Sequence, residues 1–208
     1  HKIFQKDTRG LKIIVPYLRD EFDDKEEIVR TVCDSFLLAI KNNDLIVEVQ
    51  EYEITHETIS SILEEESIFN DEIIKKNNLF TKLYWETFNQ LHDEDFHIED
   101  KKEIHSFKLY FKYDENIEKG RTGIFRNIGM KIQDFGVNNN KTKPYNAILI
   151  PKSLKEDELL KSLENEAHTE INFSHIKDKN LRENASKFIT NMHKKLTEVI
   201  EKAIEEQS

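Results

Sequence analysis

Apolar residues recur along the chain at two periods, and the period changes mark the elements. From Lys25 to Ile40, Ile28, Val32, Phe36 and Ala39 or Ile40 fall at three- and four-residue steps behind Asp23-Asp24. That pattern predicts a helix with an acidic start. Asn70 to Leu91 carries Ile73, Ile74, Phe80, Tyr84, Trp85 and Phe88, which predicts one or two helices with a break at Asn77-Asn78. Lys155 to Ala167 places Leu159, Leu160 and Leu163 on one side, and Leu181 to Ile204 repeats Leu181, Ala185, Phe188, Met192, Leu196, Val199 and Ala203. Both read as amphipathic helices, the second about 40 Å long.

Strand signals alternate with these. Leu11 to Tyr17 is a short β-branched run closed by Pro16, and Leu45 to Gln50 follows an Asn-Asn-Asp turn. Ser106 to Tyr113, Gly123 to Ile132 and Tyr145 to Ile150 complete the set, separated by Asp114-Glu115-Asn116 and by residues 138–144. Thr55 is placed to cap a short helix reaching about Glu66, and His92-Asp93-Glu94-Asp95 reads as an acidic loop. Helices interleaved with strands predict an α/β (α+β) fold with a mixed sheet of about five strands. Helices should lie mainly on one face, and a long C-terminal helix should lie across the domain or reach toward a partner. The division is residues 1–175 as the α/β domain and 176–208 as the helix.

Composition narrows the function classes. A net charge of -10 over 208 residues, with 35% of positions charged, argues against a broad nucleic-acid surface for this segment. No run is long and apolar enough for a membrane span and no signal-peptide pattern opens the chain, so a cytoplasmic location is the expectation. The single cysteine, Cys33, sits on the apolar stripe of the first helix and reads as core. A chain beginning His1-Lys2-Ile3-Phe4 reads as an excised fragment.

Chemistry is sparse except in one place. Four of the five glycines lie between Gly120 and Gly136. Glycine gathered inside an apolar-alternating stretch marks a bend, a bulge or a close backbone approach. This stretch holds Arg126, Asn127 and Lys131, and alternation along one strand sets Arg126 on the opposite face from the other two. A cation and an amide on one face suit a phosphate, and Lys141 and Lys143 in the following loop are further candidates. No phosphate-cradling glycine motif, zinc-type histidine pair or hydrolase serine elbow is present. The carboxylates of Glu64-Glu65-Glu66 and Asp93-Glu94-Asp95 read as solvated charge, and Glu164 and His168 read as a pair supporting a helix end.

Arg126-Asn127-Ile128-Gly129-Met130-Lys131-Ile132, and Leu159 through His168, resemble segments of bacterial ATP-binding proteins of the GHKL superfamily, which includes gyrase B subunits, MutL and the related heat-shock chaperone. Gly10 to Pro16, Lys25 to Ile40 and Leu45 to Val49 resemble the region that follows the ATPase module. The likeness spans most of residues 8 to 175 and points to the transducer-like segment, because the nucleotide-binding asparagine helix and Asp-x-Gly-x-Gly segment are missing. It implies that ATP and Mg are held by an upstream module in cis, with none in this segment. It also implies a transducer cation at the terminal phosphate, for which Arg126, Lys131, Lys141 and Lys143 are candidates, and a prokaryotic-defence context.

The expected function is thus a non-catalytic segment that couples ATP binding and hydrolysis upstream to domain movement, its final helix carrying the movement or docking a protein partner. A stand-alone interaction module without ATPase function is the alternative. A metal-dependent nuclease built on the acidic clusters and Lys131 lacks a matching acid–lysine spacing.

Overall fold

The computed structural model describes residues 24–89, 93–100, 103–113, 120–136 and 145–206. The strand expected at Leu11 to Tyr17, and Lys141 and Lys143, lie outside the described residues.

Helix α1 (Lys25–Lys41) begins where the Asp24 carboxylate accepts the Glu27 N–H at 3.1 Å. Its buried stripe is Val29, Cys33, Leu37 and Ile40, and burial pushes the Cys33 thiol up to about 12. A two-stranded hairpin follows, β1 (Val47–Val49) with β2 (Tyr52–Ile54), which stands apart from the main sheet. The helix expected after Thr55 is broken into α2 (Ile59–Leu63) and α3 (Glu66–Phe69). Then come α4 (Asp71–Asn77), ended by Asn78 in the left-handed conformation, and α5 (Thr81–Phe88). The break at Asn77-Asn78 falls where the sequence places it.

Five strands form the main sheet in the order β3-β4-β7-β5-β6. They are β3 (Asp93–Asp100), β4 (Glu103–Tyr113), β5 (Arg121–Phe125), β6 (Lys131–Gly136) and β7 (Tyr145–Pro151). All neighbours are antiparallel except β5 and β7, so the sheet is mixed. Two readings change here. Asp93-Glu94-Asp95 belongs to an edge strand, not a loop, because eight residues of β3 find partners along β4. Gly123 to Ile132 is two strands and a turn, not one strand.

Alternation along the central strands feeds two cores. Phe107, Leu109 and Phe111 on β4, with Ala147 and Leu149 on β7, face α6 (Leu154–Leu163) and α7 (Lys179–Glu206). Phe125 and Ile148 face the opposite way, into a core with Val29, Leu37, Ile62, Phe69 and Tyr84. The helices α1 to α5 therefore gather on one face, as expected for most of them, while α6 and α7 cover the other. Phe188, Met192, Leu196 and Ile200 sink into the sheet core, so α7 lies across the domain and spends its apolar stripe there. Of the two placements expected for this helix, lying across the domain is the one observed. Among the described residues no helix is long and apolar enough to cross a membrane.

Candidate functional site

The glycine-marked stretch folds as a hairpin whose turn touches both helical layers. The Arg126 N–H donates to the Met130 carbonyl at 2.8 Å and the Gly129 N–H to the Arg126 carbonyl at 2.9 Å. Gly129 carries the left-handed φ of +82° that lets β6 return, and the ladder slips at Ile124/Phe125. The Gly129 carbonyl accepts the Ala39 N–H of α1 at 3.3 Å. Helix α1 is non-helical at Phe36, with φ -122° and ψ 23°. That kink frees an amide of the next turn for a partner outside the helix. A close approach and a bend are both what clustered glycine signals.

On the α6 side, Arg126 is 6% exposed and fully engaged. Its Nε and Nη2 donate to the two Asp157 oxygens at 2.9 and 2.7 Å, and Nη1 donates to Glu164 at 2.8 Å. The Asn127 N–H joins the same Asp157 oxygen at 2.7 Å, and the Asn127 side chain donates to the Ser153 carbonyl at 3.3 Å. Asn127 thus sides with Arg126, not with Lys131, because a turn rather than a strand separates the two cations. Hydrogen bonding to Asp157 raises the Arg126 pKa above its ordinary value against the opposing effect of burial. Burial pushes the Asp157 carboxyl up, but the bonds from Arg126 and the Asn127 amide prevail and hold it below the usual carboxylate range. Glu164 also meets His168 Nδ1 at 2.6 Å. The expected pair forms, but beyond the end of α6, with His168 in the left-handed region at φ 57°.

On the other face Lys131 donates to Asp34 at 2.7 Å and to Asp134 at 2.9 Å. Thr81 donates to the second Asp34 oxygen at 2.7 Å and Tyr84 to the second Asp134 oxygen at 2.6 Å. Burial lowers the Lys131 ammonium pKa, yet the two carboxylates outweigh it and the net direction is up. Tyr84, fully buried beside Asp134, is pushed well above the ordinary phenol value. The acid–lysine grouping that spacing did not reveal is therefore present in space. Each of its four carboxylate oxygens already accepts a protein hydrogen bond, which suits a joint better than a metal centre. Among the described residues no group of three or more His, Cys, Asp or Glu side chains is placed to hold a metal ion.

Of the five candidate phosphate contacts, Arg126 and Asn127 share one cluster, Lys131 stands in another across the sheet, and Lys141 and Lys143 lie outside the described residues. A phosphate at Arg126 or Lys131 would have to displace carboxylates already bonded there. The partners Asp34, Tyr84, Asp134 and Asp157 carry no motif of their own. Of the partners of Arg126, only Glu164 was singled out in the sequence, through its pairing with His168. Set beside protein-family models, characterised proteins and solved structures, the chain matches none.

Proposed function

We propose that this chain is the non-catalytic coupling segment of a GHKL-type ATPase, transmitting the state of an upstream ATP-binding module in cis to the rest of the protein. The observation that supports this reading is the double attachment of the 126–130 turn. Arg126 ties it to α6, while Lys131 and the Gly129 carbonyl tie it to α1 on the opposite face. A displacement at the turn would be felt by both helical layers at once, because paired charges and close-packed backbone shift as units. The two best-placed cations, Arg126 and Lys131, are already paired with the chain's own carboxylates, which supports placing the nucleotide elsewhere. ATP and Mg are assigned to the upstream module, and a role in prokaryotic defence goes with the resemblance. The transmitting step is a change in the relative stability of two domain arrangements, which needs contacts that differ between them.

A second reading is favoured by one observation. Ile104, Ile128 and Leu154, exposed by 58%, 63% and 76%, lie at the same end of the sheet, as β4 begins and β5 and β7 finish there. Such a patch suits a stand-alone protein-interaction module.

The deciding experiment compares nucleotide binding and ATP turnover by this chain with those of the same chain extended upstream through its native gene. Turnover in the extended protein alone, reduced about tenfold or more by Asp157→Ala while nucleotide affinity holds, is the expected result. Absence of nucleotide binding in both proteins overturns the coupling reading and leaves the interaction module.

A further inference from the structure

The main sheet ends at β3. Among the described residues β4 is its one strand neighbour, and the ladder between them uses every residue from Asp93 to Asp100. The outer side of β3 therefore presents a row of main-chain N–H and C=O groups about 27 Å long. Beside it lies an open groove of about 500 Å³, formed by His97 and Ile98 of the strand and by Asn191, Lys195, Glu198 and Val199 of α7. Phe96 and Ile98 are buried in the core beneath α7, while His97 between them is exposed and its Nδ1 meets the Ser106 hydroxyl at 3.0 Å. A strand added to this edge would continue the Phe96 and Ile98 row into the groove with every second residue, and turn the residues between to the His97 side.

Charge decides what strand that can be. Asp93, Glu94, Asp95, Glu99 and Asp100 make β3 strongly acidic, and it has no Lys or Arg. The groove carries its own ions close to balance: Lys194 lies 3.9 Å from Glu198, and Lys195 adds one cation. A second copy of β3 is a poor occupant. Paired antiparallel about its middle it sets Asp93 against Asp100 and Glu94 against Glu99, and paired parallel in register it sets each acid against itself. Charge along an edge guards a sheet against unwanted pairing, but a guard made of acids is no barrier to a strand of opposite charge. We propose that the outer edge of β3, with the groove beside α7, is a docking site for an extended protein segment that alternates apolar residues with Lys or Arg and joins the sheet as a further strand. Main-chain hydrogen bonds supply the affinity, the groove takes the apolar residues, and the acids of β3 select the basic ones.

Three blocked heptapeptides test this on the intact chain at about 150 mM salt, where loose surface attraction is screened. One alternates lysine with valine, one alternates glutamate with valine, and the third is the lysine–valine peptide N-methylated at two adjacent central residues. The methyl groups remove a donor from each edge of the peptide and leave its charge unchanged. Amide shifts and hydrogen exchange are followed by NMR. The first peptide should saturate and protect amides of β3, the second should not bind, and the third should bind about tenfold more weakly than the first. Asp95→Lys combined with Glu99→Lys should weaken the first peptide about tenfold and admit the second. If that variant fails to fold, the comparison of the three peptides decides alone. Equal binding of the first and third peptides would reduce the attraction to charge and overturn the proposal, as would no saturation by the first or shifts centred away from β3 and the α7 groove.

Discussion

Gly129 rests directly against the backbone of Ala39: its carbonyl accepts the Ala39 N–H, and a Cβ at position 129 would stand 2.3 Å from that nitrogen. Neither atom sits at the end of a flexible side chain, so the contact has no cheap relief. The left-handed φ of Gly129 adds a second cost to any replacement. Gly129→Ala is expected to destabilise the fold by about 2 to 4 kcal/mol. Gly136→Ala is the control, because its nearest neighbour is the Arg121 guanidinium at 3.3 Å, which can move. It should cost under about 1 kcal/mol. Urea unfolding of both variants tests the contrast, and equal losses would refute it.

Arg126 answers two buried carboxylates, so removing it strands both. Asp157 is 4% exposed and Glu164 5% exposed. Arg126→Ala should cost about 3 to 5 kcal/mol, most of it from uncompensated charge rather than lost attraction. A triple variant, Arg126→Met with Asp157→Leu and Glu164→Leu, should recover much of that loss. Denaturation of the single and triple variants decides the matter; a triple variant no more stable than Arg126→Ala would show that packing, not charge, dominates the joint.

These partners explain how far the sequence could be read. The stripe of α7 was legible because burial imposes a 3.6-residue period on Phe188, Met192 and Leu196. Helix α1 was legible as a helix, but its buried stripe is Val29, Cys33 and Leu37, one residue on from the expected Ile28, Val32 and Phe36, of which Ile28 is exposed. The break at Asn77-Asn78 was legible because Asn tolerates the left-handed cap. Strand β3 was hidden because Asp93, Glu94 and Asp95 oppose strand propensity, and only pairing with β4 overrides it. The hairpin was hidden because apolar alternation runs through its turn. Arg126 and Lys131 stood out by type, but Asp157 and Asp34 lie 31 and 97 residues away in sequence, and Asp134, three residues from Lys131, belongs to no motif that marks it as a partner.

Lys131 and Tyr84 share Asp134 and should respond differently. Tyr84→Phe keeps the ring against Phe125, at 6.1 Å between centroids, and removes one bond to a carboxylate. A loss of about 1.5 to 3 kcal/mol is expected. Lys131→Met leaves Asp34 and Asp134 facing each other, and Asp34→Asn together with Asp134→Asn should relieve it. The Lys131 ammonium, raised by its carboxylates, contributes stability that is complete below the unfolded value of about 10.4 and lost as pH rises through its higher folded value. Titration of the Lys131 side chain by NMR should place its midpoint above the unfolded value of about 10.4. A midpoint at or below it would sink the assignment.

Two further groups contribute to the acid limb of the stability profile in separate windows. Burial on the sheet-facing side of α7 lowers the His193 pKa, and its ring packs edge-on against Phe135 at 4.3 Å between centroids. The unfolded chain therefore binds a proton that the folded chain resists, and stability falls as pH drops below about 6.5 until the folded value is reached. Asp157 acts lower. Its folded pKa is depressed, so its contribution is complete above the unfolded value of about 3.9 and disappears as pH falls through the folded one. His193→Gln should flatten the first slope and leave the second, while Asp157→Asn should do the reverse. Urea midpoints measured from pH 8 to pH 3 separate the two; a profile in which His193→Gln leaves the upper window unchanged would place that proton elsewhere.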